Sequence, residues 1–162
     1  MLKKLLVFVS FVIVFASCVK STTDQNNCVP NNTNPVVPTA AEIASLQAYL
    51  TSKSITATQD PGGFFYIIVA PGTGVNPTLT SKVTVKYTGT LENGTVFDQN
   101  STGTTFVLSG LILGWQRGLP LIKKGGSITL FLPPSLGYGC SSSGAIPPGS
   151  NTIFTVDLVD VQ

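Results

Sequence analysis

The residues able to do chemistry in this chain are few, and their types narrow what that chemistry is. The 162 residues include no histidine. This removes Ser-His and Cys-His nucleophile systems, imidazole general bases and most zinc sites together. The stretch that stands out is Leu108 to Ile122, Leu-Ser-Gly-Leu-Ile-Leu-Gly-Trp-Gln-Arg-Gly-Leu-Pro-Leu-Ile. It holds the only tryptophan, Trp115, behind the apolar run Leu111-Ile112-Leu113 and between Gly110 and Gly114 on one side and Leu119 and Ile122 on the other. Leu119 and Ile122 follow the indole at i+4 and i+7, one face of a helix. Pro120 lacks an N–H and crowds the carbonyl four residues back, so that helix must be short or distorted. Taken alone, Trp115 is a core anchor. A functional role needs other aromatic side chains to converge on it, and the sequence carries them on both sides.

The elements that would bring them together follow from pattern. Only 10% of residues are charged, and 16 Gly and 11 Pro accompany many Thr and Ser, which points to a β-rich fold with many turns. Thr39 followed three residues later by Glu42 is a capping box, and Ile43, Leu46 and Leu50 continue at helical spacing, so a helix is expected from about Ala40 to Ser52. Its apolar stripe is expected to dock on the domain. Phe64 to Val69 reads as a strand. Val83, Val85 and Tyr87 alternate with polar residues in another, and Glu92-Asn93-Gly94 turns before Thr95 to Asp98. Thr104 to Leu108 and Ser127 to Leu132 are further strands, and Ile153 to Val161 closes the chain with Phe154, Val156 and Leu158 on one face. Pro134 to Ser150 is a long loop, and long loops in small domains are usually functional. Five or so strands around one short helix make a two-layer α+β arrangement, an antiparallel sheet wrapped around the helix and preceded by an N-terminal helix.

The first residues have a different character. Lys3 and Lys4 precede an almost wholly apolar run of about 12 residues from Leu5 to Ala16, short of the roughly 20 needed to span a membrane, so residues 1–17 read as an export signal. The ending Ala16-Ser17-Cys18 resembles a bacterial lipobox, with Phe15 where Leu is usual. That resemblance implies cleavage before Cys18, acylation of Cys18 and a lipid-anchored chain in the cell envelope. Without Lys3 and Lys4, seven basic residues balance seven acidic ones, which argues against a nucleic-acid partner. Residues 18–38, rich in Ser, Thr, Asn and Pro, are expected to be a disordered tether. Residues 39–61 form the leading helix and connector, and 62–162 the domain proper. Cys28 and Cys140 remain. In an oxidising compartment they either pair with each other or stay separate thiols, and spacing alone does not decide.

Within the domain an ordered set of fragments becomes recognisable. Val85-Lys86-Tyr87-Thr88-Gly89, Asn93-Gly94-Thr95-Val96-Phe97-Asp98, Phe106-Val107-Leu108 and Leu111-Ile112-Leu113-Gly114-Trp115 come first. Pro133-Pro134-Ser135-Leu136-Gly137-Tyr138-Gly139, Ala145-Ile146-Pro147-Pro148 and Ile153-Phe154-Thr155-Val156-Asp157-Leu158 follow. In that order and spacing, Phe64 to Val161 resembles the FKBP-type peptidyl-prolyl cis-trans isomerases. The resemblance implies the FKBP-like fold and a pocket for a prolyl ring. Tyr87, Phe97, Trp115 and Phe154 would form its aromatic walls and floor, with Leu111 and Ile112 on one side. The Ile112 N–H and the Tyr138 hydroxyl would donate to substrate carbonyls. Ile146 would close the rim, and Asp98 would stand beside the twisting amide. Tyr87, Asp98 and Tyr138 are thus the implied catalytic residues. Phe106 aligns with a core-facing position rather than the wall. Thr104 stands where the family often has another aromatic, and Gln99 to Thr105 carries no Arg to pair with the Asp. Both departures bear on macrolide inhibitors, which the resemblance otherwise implies as ligands.

The chemistry implied suits a chain without imidazole. Rotation about an X–Pro bond meets a barrier of about 18–20 kcal/mol set by amide resonance. No covalent bond breaks, so no nucleophile, metal or cofactor is required. The site must bind the twisted amide better than either planar form. A thousandfold acceleration needs about 4 kcal/mol of such preference. The expected function is therefore X–Pro isomerisation in exported proteins, assisting their folding at the envelope. The alternative is a module of the same fold that holds proline-containing segments or client proteins without turnover.

Overall fold

In the computed structural model, which describes residues 36–162, the first element is helix α1 (Ala40–Ser52). Its start is the reciprocal cap read from the sequence: Glu42 N–H donates to Thr39 Oγ1 at 3.2 Å, and Thr39 N–H donates to Glu42 Oε2 at 2.8 Å. Its end is a Schellman turn. Ser54 takes φ 54°, Ser54 N–H donates to Thr51 O, and Ile55 N–H donates to Leu50 O. The expected export signal, Cys18, Cys28 and most of the expected tether lie outside the described residues. The last tether positions are held to the domain: Pro38 is buried against Gly63, and Val36 O accepts from Arg117 Nη2 at 2.6 Å.

Six strands follow: β1 (Thr58–Gln59), β2 (Phe65–Ala70), β3 (Lys82–Leu91), β4 (Val96–Val107), β5 (Ser127–Leu132) and β6 (Thr152–Val161). They form one antiparallel sheet in the order β1-β2-β5-β6-β3-β4. Helix α2 (Leu113–Gly118) lies between β4 and β5 and tightens into a 3₁₀ turn, Leu119–Leu121, where Pro120 ends regular helix. Two sequence expectations are corrected here. The two-residue strand β1 was not anticipated. Thr95–Asp98 and Thr104–Leu108, read as separate strands, fall except for their outer residues Thr95 and Leu108 in the single strand β4. The register skips between Val85↔Thr104 and Tyr87↔Asn100, so Ser101 to Gly103 loop out of the ladder. Asn100 Oδ1 fastens that bulge by accepting from the N–H groups of Thr102 and Gly103.

Around β5 the sheet is covered on both faces. Ile128, Leu130, Leu132, Phe154, Val156 and Leu158 meet Trp115, Leu119 and Ile122 on the α2 side. On the opposite side Phe65, Phe131 and Ile153 meet Leu46 and Leu50 of α1. This explains why β5 ends in the continuous apolar run Leu130-Phe131-Leu132 instead of alternating. Helix α2 sits very close to β5: a Cβ at Gly114 would collide with the Leu132 side chain, and one at Gly118 with Leu130. Among the described residues no helix is long and apolar enough to cross a membrane.

Candidate functional site

A cavity of about 260 Å³ opens where α2 meets β3, β4 and β6. Seven of the nine binding and catalytic residues expected from sequence line it: Tyr87, Asp98, Leu111, Ile112, Trp115, Tyr138 and Phe154. Trp115 enters from the first turn of α2, and its indole meets Tyr87 of β3 edge-on at 5.2 Å and Phe154 of β6 at 5.3 Å. These edge-to-face contacts match the ring quadrupoles and hold the aromatic surfaces at right angles. Trp115 Nε1 is buried without a hydrogen-bond acceptor among the described residues.

Phe97 and Ile146 are placed differently from expectation. Phe97 does not line the cavity. It packs edge-on against two residues that do, Phe154 at 5.4 Å and Tyr138 at 5.8 Å. Neighbouring Gly89 and Thr90 of β3 pair with Asp98 and Val96, so Phe97 is the extra residue of a second bulge in β4. That bulge allows consecutive residues, the Phe97 ring and the Asp98 carboxylate, to serve one face of the sheet. Gly89 opposite leaves the room, since a Cβ there would stand 2.7 Å from the Phe97 ring and 2.8 Å from Phe154. Ile146 is buried within the β5–β6 loop, where it bridges back to Ser143, and is not on the lining.

Phe106, expected in the core, does line the cavity. The signal for it was the register: Phe106 pairs with Val83 and Thr104 with Val85, and cross-strand partners share a face. Because Val83 and Val85 point to the α2 side, so do Phe106 and Thr104.

The polar groups of the cavity are arranged around Asp98. Tyr87 Oη donates to Asp98 Oδ2 at 2.7 Å. Burial, the hydrogen bond to Asp98 and the Asp98 charge push the Tyr87 phenol up to about 12. Burial, with the Asp98 charge second, also raises Tyr138. Both phenols therefore stay protonated donors throughout the neutral range. Asp98 has no cationic partner: among the described residues the one ion pair joins Lys124 to Asp160. The Ile112 N–H, at the N-cap of α2, donates to no acceptor among the described residues, whereas the Ile112 carbonyl accepts from Trp115 and Gln116. The cavity thus offers apolar aromatic surface, one fixed carboxylate, one phenol donor and one amide donor. Among the described residues no cluster of three or more metal-ligating side chains forms. Cys140, two residues beyond Tyr138, is disulfide-bonded. Cys28, the partner that the sequence left open for it, lies outside the described residues.

Residues 74–159, just over half of the chain, match the family described as FKBP-type peptidyl-prolyl cis-trans isomerase. The FKBP-type peptidyl-prolyl cis-trans isomerase FkpA of Escherichia coli is 44% identical over 103 residues, covering 62% of this chain and 38% of FkpA. The crystal structure of FkpA matches with a TM-score of 0.69 at 38% identity, over 76% of this chain and 60% of that one. Outer membrane protein MIP of Legionella longbeachae is 41% identical over 106 residues, covering 63% of this chain and 46% of MIP. A peptidyl-prolyl cis-trans isomerase of Pseudomonas syringae matches in structure with a TM-score of 0.67 at 27% identity, over 78% of this chain and 97% of that one. The chain spans less than half the length of the curated relatives FkpA and MIP.

Proposed function

The chain belongs to the family of FKBP-type peptidyl-prolyl cis-trans isomerases, and we propose that its cavity isomerises X–Pro bonds of exported proteins at the cell envelope. The observation that carries this reading is the aromatic cup closed on Trp115 with Asp98 fixed at its edge by Tyr87. The prolyl ring sits against Trp115, Tyr87 and Phe154, which exclude water from the amide. The Ile112 N–H and Tyr138 Oη receive substrate carbonyls and hold the segments flanking proline at a fixed angle. The twisted carbonyl carries less charge on oxygen than the planar one, so a dry apolar site disfavours the planar ground states. Asp98 is the polar group nearest the rotating bond. The bond order of the C–N link is lost and regained with no proton passed to the protein.

The envelope location rests on the export signal and on the kinship with an outer membrane protein. Cys18 carries the lipid anchor. Cys140 pairs with Cys28, which leaves Cys18 free for acylation. Non-reducing peptide mapping is expected to recover Cys28 and Cys140 in one disulfide-linked fragment, and recovery of a free Cys28 thiol would remove that pairing.

Proline-limited refolding of a model protein tests the activity. The fragment from Ser21 onward is expected to accelerate the slow phase at catalytic concentration, and Asp98→Ala and Tyr138→Phe to lose much of the effect. A folded wild-type fragment that leaves the slow phase unchanged would instead support a proline-peptide or client-binding module. Asp98 without a cationic partner and the small Thr104 on the α2 side of β4 are the features that such a module would use, and the same features reduce the contacts open to macrolide inhibitors.

A further inference from the structure

The β5–β6 loop, residues 133–151, carries Tyr138, yet the polar contacts at its two ends lead to a helix outside the family match of residues 74–159. At the first end, Ser135 N–H belongs to the opening of the 3₁₀ turn Pro134–Leu136, where an amide has no acceptor inside the turn. Glu42 Oε1 of α1 supplies that acceptor at 2.9 Å, while the other oxygen of the same carboxylate caps α1 through Thr39 N–H. Leu136, fully buried, and then Tyr138 follow directly. At the second end Asn151, only 7% exposed, donates its amide to Ser45 Oγ of α1 at 3.1 Å and to Glu92 Oε1 at 2.7 Å. Glu42 and Ser45 are three apart and so lie on one face of the helix, beside Leu46 and Leu50. Those two leucines seat α1 on Phe131 and Ile153, which are paired with each other at the roots of the loop.

We propose that α1 clamps the β5–β6 loop, with Glu42 and Ser45 as positioning residues that fix Tyr138 over the cavity. For its effect on turnover the clamp rests on the isomerase reading of that cavity. Its effect on the loop does not.

The test uses the chain from Ser21 onward with Thr39→Ala, Glu42→Ala and Ser45→Ala. Thr39→Ala and Glu42→Ala both break the helix cap, but only Glu42→Ala also releases Ser135. Amide hydrogen exchange is followed in residues 136–150 and in β3 and β6, beside kcat and KM on an X–Pro peptide. Exchange at 136–140 is expected to rise about tenfold more in Glu42→Ala than in Thr39→Ala, the scale of a lost hydrogen bond to a charged acceptor. Ser45→Ala should raise exchange at Gly149 and Ser150, and Glu42→Ala and Ser45→Ala should both raise KM more than they lower kcat. Protection of β3 and β6 should change by the same amount in Glu42→Ala and Thr39→Ala, since both weaken the helix cap. Equal loop exchange in Glu42→Ala and Thr39→Ala, or an excess in Glu42→Ala shared equally by β3 and β6, overturns the clamp. A wild type without isomerase activity removes the proposed function, and the exchange comparison still decides the clamp.

Discussion

At the scale of single residues, the Tyr87–Asp98 pair is the most consequential contact. Tyr87→Phe keeps the aromatic wall and deletes the donor, so Asp98 loses the bond that fixes it. A hydrogen bond to a charged acceptor corresponds to roughly one to two decades, and the exposure of Asp98 puts the expected loss of kcat/KM at the lower end, about tenfold. Because the two groups act as one, Tyr87→Phe combined with Asp98→Ala should lose little more than Asp98→Ala alone. Equal, additive losses would show that each acts separately. The raised Tyr87 phenol adds a pH prediction. Its folded pKa, about 12, lies above the ordinary 10, so the stability it contributes is complete below pH 10 and disappears as pH rises through 12. Absorbance titration of the four tyrosines should show one ionising near pH 12, and Asp98→Ala should bring it down. Most of these residues were legible in the sequence as an ordered set of short motifs. Phe106, Phe97 and Ile146 were not. Whether a strand residue reaches the cavity depends on register and bulges, which no single motif encodes.

At the scale of elements, both helices were legible because their signals are local. The capping box, the i, i+3, i+4 stripe and Pro120 are contained within a few residues. Strand β4 was misread because Asn100 to Gly103 look like a turn, and they do form one, but inside a strand whose ladder resumes beyond it. The close seat of α2 was hidden as well, since nothing local to Gly114 and Gly118 tells that Leu132 and Leu130 lie against them. Gly114→Ala should therefore not gain the propensity of about 1 kcal/mol that Ala offers over Gly in a helix. It is expected to lose about 1–3 kcal/mol to overpacking and to displace Trp115, giving a lower urea midpoint and altered tryptophan emission. Ser54→Gly should act in the opposite sense. Its left-handed φ of 54° closes the Schellman turn of α1, where Gly lacks the steric penalty, so a rise of about 0.5–1 kcal/mol in unfolding free energy is expected.

At the scale of the molecule, the sheet is a shared wall between two apolar clusters, one holding the cavity aromatics and one holding α1. Phe131 and Ile153 belong to the α1 cluster, while their neighbours Leu130, Leu132 and Phe154 belong to the other. Loss of α1 would leave Phe131 of β5, Ile153 of β6 and Phe65 of β2 facing water. The two clusters are therefore expected to melt together. Leu50, 1% exposed, gives the test. Leu50→Ala should cost about 2–5 kcal/mol from lost transfer energy and the residual cavity. In a domain of this size that lowers Tm by roughly 10 °C or more. Trp115 lies across the sheet from Leu50, so its fluorescence reports on the other cluster. Coincident fluorescence and far-ultraviolet circular dichroism transitions, both shifted by the same amount in Leu50→Ala, are the expected result for one cooperative unit. If the tryptophan transition stays at its wild-type temperature while part of the helical signal melts early, α1 is a separate layer. Its coupling to the cavity would then have to pass through the polar contacts of Glu42 and Ser45 alone.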